Sequence, residues 1–403
     1  MRRVVVTGLG MINALGSDAK SSFKAICEGQ CGVDKITLFD ASDFPVQIAA
    51  QVKNFEPERY IEDAKEIKKL DRFIQLAHAA SDEAIKDANL KDYDIDDYGV
   101  SSAAGIGGLP NIEKNSNICL ERGARKISPF FIPSALVNML GGVLSIKYKL
   151  RGPNISSVTA CAASTHAIIE AAKTIMLGEA TGMLVIGAES TICPVGIGGF
   201  AAMKALSTRN DEPATASRPF DKGRDGFVMG EGAGALMLEE YESAKARGAK
   251  IYAEIIGFGE TGDAHHITSP SQDGPQRAIL RALKMAGNPK IDYINAHGTS
   301  TPANDKNETT TLKAVFGDNV PPISSIKGQI GHCLGAAGAI EAVSTLLAME
   351  QGILPPTINQ FEKDEDCDLD YVPNKARKMP INVAMSENFG FGGTNGVVIF
   401  KKV

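Results

Sequence analysis

The sequence predicts a layered α/β chain built from two similar halves that divide near residue 248. Three observations carry this expectation. Short strand-like runs alternate with amphipathic or alanine-rich helical runs along the chain. The alternation begins again at Lys250, where Ile251-Tyr252-Ala253-Glu254-Ile255-Ile256-Gly257 stands as a new first strand. The 403 residues, 43% of them hydrophobic and 22% charged, suffice for a large core in two domains or two fused half-domains. The halves are placed at 1–248 and 249–403 from element order alone, because no residue-level repeat is visible.

Arg3 to Thr7 is the first expected strand. Gly8-Leu9-Gly10-Met11-Ile12-Asn13 follows like the start of a dinucleotide fingerprint, but Asn13 stands where a third glycine belongs, so no cofactor is inferred. Leu70, Phe73, Ile74, Ala77, Ala84, Ile85 and Ala88 have helical spacing, which predicts a helix from Ile67. Lys65, Lys68, Lys69 and Arg72 open its polar side, as a solvated face or a docking patch for an acidic partner. Gly99 to Gly108 reads as a buried strand that enters a glycine-rich loop. Two prolines in Arg125 to Pro133 predict an extended loop, with the basic pair Arg125 and Lys126 at its start.

A β-prone run then enters Ser156-Ser157-Val158-Thr159-Ala160-Cys161. Ala167, Ile168, Ala171, Ala172 and Ile175 follow with the spacing of a buried helix. Cys161 is therefore placed where a strand turns into a helix N-terminus, a setting expected to ease ionisation of its thiol. A strand at Met183 to Gly187 and the turn-rich stretch from Arg218 to Gly234 come next. Charged residues among that many glycines suggest a tight loop beneath a site. In the second half, Ile291 to Ile294 is a strand running into Asn295-Ala296-His297-Gly298-Thr299. Ser324 to Gly338, with His332, leads into a small-residue helix, and Asn388 to Asn395 precedes the last strand at Val397 to Phe400.

Composition narrows the function. A net charge of -6 argues against a general nucleic-acid binder, which needs a basic surface. Seven cysteines without framework spacing suit free thiols in a reducing compartment. The N-terminus reads as a strand and not a signal peptide, and no apolar run reaches membrane-span length. A cytoplasmic protein with no membrane partner is expected.

The chemistry-bearing residues are one cysteine and two histidines. A thiolate can hold an acyl group as a thioester, and donors for a developing oxyanion would complete an acyl-transfer site. Of six histidines, His297 and His332 each follow a strand and border glycine, whereas His78 and His166 lie on helices and read as structural. His265 and His266 sit in a loop and are open. Neither His297 nor His332 has the partner spacing of a metal site, so no metal and no cofactor are expected.

Thr159-Ala160-Cys161, Asn295-Ala296-His297-Gly298-Thr299, Lys327-Gly328-Gln329-Ile330-Gly331-His332 and Gly390-Phe391-Gly392-Gly393-Thr394-Asn395 resemble the signature blocks of the β-ketoacyl-[acyl-carrier-protein] synthases, in the family's order. Two histidines resemble the elongating class, and Arg218-Pro219-Phe220-Asp221 resembles the long-chain group. The resemblance implies a thiolase-like fold of two similar βαβ-type halves in αβαβα layers, a homodimer, and decarboxylative Claisen condensation of acyl and malonyl thioesters carried by acyl carrier protein. It implies that Cys161 accepts the acyl chain and that His297 and His332 stabilise the enolate. Lys327 and Glu308 would support that network. The backbone N–H groups of Cys161 and Phe391 would form the oxyanion hole, with the Phe391 side chain as gate and Ile106 lining the acyl pocket. Lys65, Lys68, Lys69, Arg125 and Lys126 match positions expected to meet the acidic carrier protein. Three features depart from the family pattern: Ala162-Ala163-Ser164 after Cys161 is not the commonest form, His265 replaces a tyrosine, and Glu387 replaces an asparagine, which counts against the monovalent-cation site the family sometimes forms near Asn295, Glu341 and Asn388. A non-catalytic partner subunit would lack the nucleophile, which Cys161 supplies here.

Overall fold

Ten strands form one mixed sheet in a computed structural model that describes residues 1–91 and 93–403. The strands are β1 (Val4–Ile12), β2 (Tyr98–Ala103), β3 (Asn154–Ser157), β4 (Gly182–Glu189), β5 (Gly232–Glu240), β6 (Ala253–Gly262), β7 (Tyr293–Asn295), β8 (Ile323–Ser324), β9 (Val383–Gly390) and β10 (Thr394–Lys401). Their spatial order is β8-β7-β9-β10-β6-β1-β5-β4-β2-β3. Read outward from the middle, β1-β5-β4-β2-β3 and β6-β10-β9-β7-β8 repeat one topology, parallel in the outer strands and antiparallel in the inner ones. The blocks join where β1 pairs antiparallel with β6, Val4 opposite Ile255.

Helices fill three layers. The alanine-rich α2 (Ala163–Leu177) and α5 (Ala337–Gln351) are buried in the middle, because they carry apolar or small residues nearly all round. Their core also takes Val185 and Leu236 from one block and Ala384 and Val398 from the other. On the outer faces, α1 (Arg72–Asp87) covers the first block and α3 (Asp273–Met285) the second. The result is the thiolase-like αβαβα arrangement. A further helix, α4 (Pro302–Phe316), follows β7.

The Gly8-Leu9-Gly10 pattern is a seat for α1 and not a phosphate loop. A Cβ on Gly10 would stand 1.9 Å from the Ala80 carbonyl oxygen, and one on Gly8 2.2 Å from that of Ala84. Gly257 and Gly259 on β6 repeat the device beneath α3, at 2.4 Å from the Ala282 oxygen and 1.9 Å from that of Ala278. A residue-level repeat therefore exists, two glycines per half, too sparse to see without the helices above them.

Two local expectations are corrected. The helix expected from Ile67 is a short helix, Ala64–Ile67, followed by α1, which starts afresh at Arg72 because the Asp71 carboxylate caps it. Arg72 is consequently not part of the basic face; its guanidinium bonds Glu231 at 2.7 and 2.8 Å. The extended loop expected over Arg125 to Pro133 contains a 3₁₀ turn, Ala124–Lys126, and a short helix, Phe131–Ala135, whose first turn tolerates Pro133.

Candidate active site

β3 ends at Ser157, and the chain then turns through Thr159 into a 3₁₀ turn, Ala160–Ala162, which feeds α2. Cys161 lies in that turn, and Ala160 before it takes φ +50°. The second half builds the same turn at Leu334–Ala336 ahead of α5, with Leu334 at φ +45° and Gly335 in the place of the cysteine. One half thus supplies the nucleophile.

The other half supplies both histidines. His297 lies on the loop after β7, where its backbone N–H donates to Glu308 on α4 at 2.6 Å and that of Gly298 donates to the same carboxylate at 2.8 Å. The His332 N–H donates to the Val228 carbonyl at 2.7 Å, and the His332 carbonyl accepts from Gly230 at 2.9 Å. The glycine-rich stretch around Gly230 thus forms the wall behind His332. The two imidazoles stand edge to face, centroids 5.5 Å apart, with Phe389 packed on His297 and Phe227 on His332. Cys161, His297, His332, Phe389 and Phe391 line one cavity of about 360 Å³.

Burial sets the electrostatics. The Cys161 side chain is enclosed, and desolvation pushes its thiol up to about 12 despite the opposing pull of Lys327. Enclosure thus acts against the ease of ionisation expected at the helix start. His297 and His332 are held well below the usual imidazole value, first by burial and then by Lys327. Both are neutral at physiological pH. The Leu334 N–H donates to His332 Nδ1 at 3.3 Å, and Asn388 Nδ2 faces His297 Nδ1 at 3.4 Å. Acceptor roles at both Nδ1 atoms leave the protons on Nε2, so the pair presents two N–H donors.

Lys327 is fully buried and ion-paired with Glu341 on α5. Asn388 donates to the other Glu341 oxygen at 2.7 Å, linking that pair to His297. The family resemblance brings in Glu341 and Asn388 only beside a monovalent-cation site, and not as the parts of this frame that they form here. The available signal was a carboxylate, Glu341, in the first turns of a helix whose other residues up to Met349 are small, apolar or hydroxyl-bearing. Sequence reasoning missed Glu189, which ends β4 and accepts the N–H groups of Gly105, Ile106, Gly107 and Gly335. That carboxylate ties the Ile106 loop to the turn after His332.

The remaining expected residues fall in three places. Phe391 is partly exposed at the tip of the β9–β10 turn. This turn abuts that of Cys161, since a Cβ on Gly390 would meet the Thr159 oxygen at 2.7 Å. Ile106 is partly exposed on the loop after β2 and is not among the residues lining the cavity. Lys65, Lys68, Arg125 and Lys126 are exposed on the surface, and Lys69, half-buried, pairs with Glu66. Lys69 Nζ lies 5.0 Å from the Phe130 ring, which brings the two basic stretches together. Of the loop histidines, His266 lines the cavity mouth and the exposed His265 does not. His166 bonds Thr159 Oγ1 at 2.7 Å and the Asn395 carbonyl at 3.1 Å, a structural role, and His78 is buried beside Lys147. No group of three or more His, Cys, Asp or Glu among the described residues could hold a metal ion.

The family described as "Beta-ketoacyl synthase, N-terminal domain" matches residues 1–244, and "Beta-ketoacyl synthase, C-terminal domain" matches residues 252–361. A 3-oxoacyl-[acyl-carrier-protein] synthase 2 from Coxiella burnetii is 51% identical, over 100% of this chain and 99% of its own length. The protein of the same name from Vibrio harveyi is 49% identical over the same shares. Among solved structures, a β-ketoacyl synthase from Burkholderia phymatum is 37% identical with a TM-score of 0.94, covering 100% of both chains. A type II polyketide ketosynthase, solved in complex with its acyl-carrier protein and bound to a hexaketide, is 35% identical with a TM-score of 0.91, over 100% of this chain and 99% of that one.

Proposed function

The chain belongs to the β-ketoacyl synthase family, and we propose that it is an elongating 3-oxoacyl-[acyl-carrier-protein] synthase whose acyl intermediate is carried on Cys161. The observation that carries this reading is the meeting of Cys161, His297 and His332 on one cavity, with both imidazoles neutral. The enzyme is an acyltransferase of fatty-acid synthesis.

In the first half-reaction Cys161 Sγ attacks the carbonyl of an acyl thioester. The carrier-protein thiol leaves, taking over the proton that the cysteine thiol gives up. In the second, malonyl-carrier protein loses carbon dioxide, and the resulting enolate oxygen is held by the Nε2–H groups of His297 and His332. The enolate carbon attacks the acyl carbonyl on Cys161. The tetrahedral intermediate collapses, releases the cysteine sulfur, which takes up one proton from solvent, and leaves a β-ketoacyl chain two carbons longer. Neutral donors suit this task, because an imidazolium would require charge in a dry cavity. Backbone N–H groups of Cys161 and Phe391 form the oxyanion hole for the condensation, and the adjoining turns support that assignment. Lys327 and Glu308 hold the two histidines' surroundings and Phe391 gates the entrance; Ile106, which the resemblance implies for the acyl pocket, sits outside the cavity on the loop that Glu189 ties to the turn after His332.

The carrier protein docks on Lys65, Lys68, Lys69, Arg125 and Lys126, a reading supported by their shared surface and by the acidic partner they suit. The chain forms a homodimer through β3, supported by that strand's position at the open sheet edge and by the exposed Ile146 and Val158 nearby. Residues 1–248 and 249–403 are its two structural halves, supported by the repeated topology. Free thiols at all seven cysteines support a cytoplasmic location, and no helix among the described residues is long and apolar enough to cross a membrane.

Incubation with acyl-carrier protein tests the reading. Mass spectrometry should find an acyl adduct on Cys161, and added malonyl-carrier protein should discharge it as a β-ketoacyl product. An unmodified Cys161, or discharge to the free acid, would overturn it.

A further inference from the structure

Glu387 on β9 is the one departure from the family pattern that falls within the core of the site's framework. Its side chain is fully buried, and neither carboxyl oxygen has an N–H or O–H donor. A bare, unpaired carboxylate is strongly disfavoured in such a core. β9 runs parallel to β7 with Ser386 opposite Asn295, which sets Glu387 against the start of the His297 loop, and there it faces the equally buried carboxyl group of Glu308 that holds the loop. Two oxygens of two acids can meet in a dry core only if a proton or a cation lies between them.

We propose that Glu387 is a positioning residue for His297: it stands in the core as a carboxylic acid and donates its proton to the Glu308 carboxylate, so that the pair carries one negative charge aimed at the His297 and Gly298 N–H groups. This deepens the condensing-enzyme reading and rests on it for the role of His297. Glu308 already has its two oxygens committed to those N–H groups and to Asn304. Of the two acids, Glu308 is therefore the one that must remain an acceptor, and Glu387 the one free to hold the proton. The other charges near Glu308 are Asp305 on α4, which disfavours its ionisation, and Lys327, which favours it. Lys327 is already balanced by Glu341 on α5, and Asp305 faces Arg224. Both acids of the pair are shifted upward, chiefly by burial. An upward-shifted acid stabilises the fold at low pH, and that contribution is lost as pH rises through the pair's own ionisation. The second ionisation would place two charges beneath the His297 loop.

Infrared difference spectroscopy between the intact protein and Glu387→Gln should show a neutral carboxyl C=O band at neutral pH that is absent from the variant. The dialysed native protein should hold no stoichiometric potassium or sodium. Each enzyme's condensation rate, normalised to its own neutral value, should fall about tenfold per pH unit past the pair's ionisation in the native protein. The alkaline limb should be missing in Glu387→Gln, whose amide donates without a proton to lose. Glu387→Asn, a shorter amide, is the second variant should the first fold poorly, and the same loss of the limb is expected. Absence of the carboxyl band, a stoichiometric monovalent cation, or an unchanged alkaline limb in a folded amide variant would overturn the proposal. The spectroscopic and cation measurements need no turnover, so they stand or fall separately from the proposed reaction.

Discussion

Replacing Lys327 with methionine tests the electrostatic frame most directly. The ammonium group is buried, and its partner Glu341 is equally enclosed. Methionine keeps most of the volume and removes the charge, leaving Glu341 with only the Asn388 amide. Breaking a buried pair from one side costs about 3–5 kcal/mol. Unfolding entropy of roughly 2.1 cal/mol/K per residue gives about 0.85 kcal/mol/K over 403 residues, so melting should fall by about 4–6 °C. Glu341 can escape part of this by taking up a proton. Its carboxyl is already pushed up by burial, with Lys327 pulling the other way, so losing Lys327 raises it further. A raised acid stabilises the fold at low pH and ceases to do so as pH rises, so the deficit should deepen toward alkaline pH. The same change removes one cause of the low imidazole values at His297 and His332. The acid limb of condensation should therefore move upward, toward the ordinary imidazole range. Melting temperature and condensation rate against pH are the assays. The Lys327→Met/Glu341→Gln double variant should recover most of the stability but not the lost electrostatic effect on the histidines. A single variant that melts within about 1 °C of the native protein at every pH would refute the argument. So would a double variant no more stable than the single.

Changing Lys65, Lys68 and Lys69 together to Glu should raise the KM for acyl-carrier protein while leaving turnover of small thioesters unaffected; equal loss with both substrates would place docking elsewhere. Substituting Gly10 by Ala should destabilise the fold by about 1–3 kcal/mol, measured by denaturant midpoint, because the new methyl group collides with the α1 backbone. Gly259→Ala should behave alike beneath α3, and a neutral result at both sites would dissolve the parallel between the halves.

Much of the active site was readable because its chemistry is local. Cys161, His297, His332 and the turn before Phe391 each sit at a strand end flanked by small residues, and that arrangement leaves a mark within ten residues of sequence. The alternation of strands and helices likewise marked two halves. The glycine pairs at Gly8 and Gly10 and at Gly257 and Gly259 did not, because their meaning lies in a helix some seventy residues away in one half and twenty in the other. The break before α1 was missed for a different reason: apolar spacing runs on through Leu70, while the cap at Asp71 acts on the backbone.

The Cys161 thiol marks the boundary most clearly. The sequence by itself determined that a cysteine would stand at a strand-to-helix turn and that two histidines were the best candidates to join it. Only the tertiary structure set the electrostatic bias on them, since enclosure pushes the thiol up, against what the helix end alone suggested, and pushes both imidazoles down. Desolvation is a property of everything packed around a group, and what encloses Cys161 is distant in sequence, from Ile48 and Ile192 to Phe227 of its own half and Leu334 of the other.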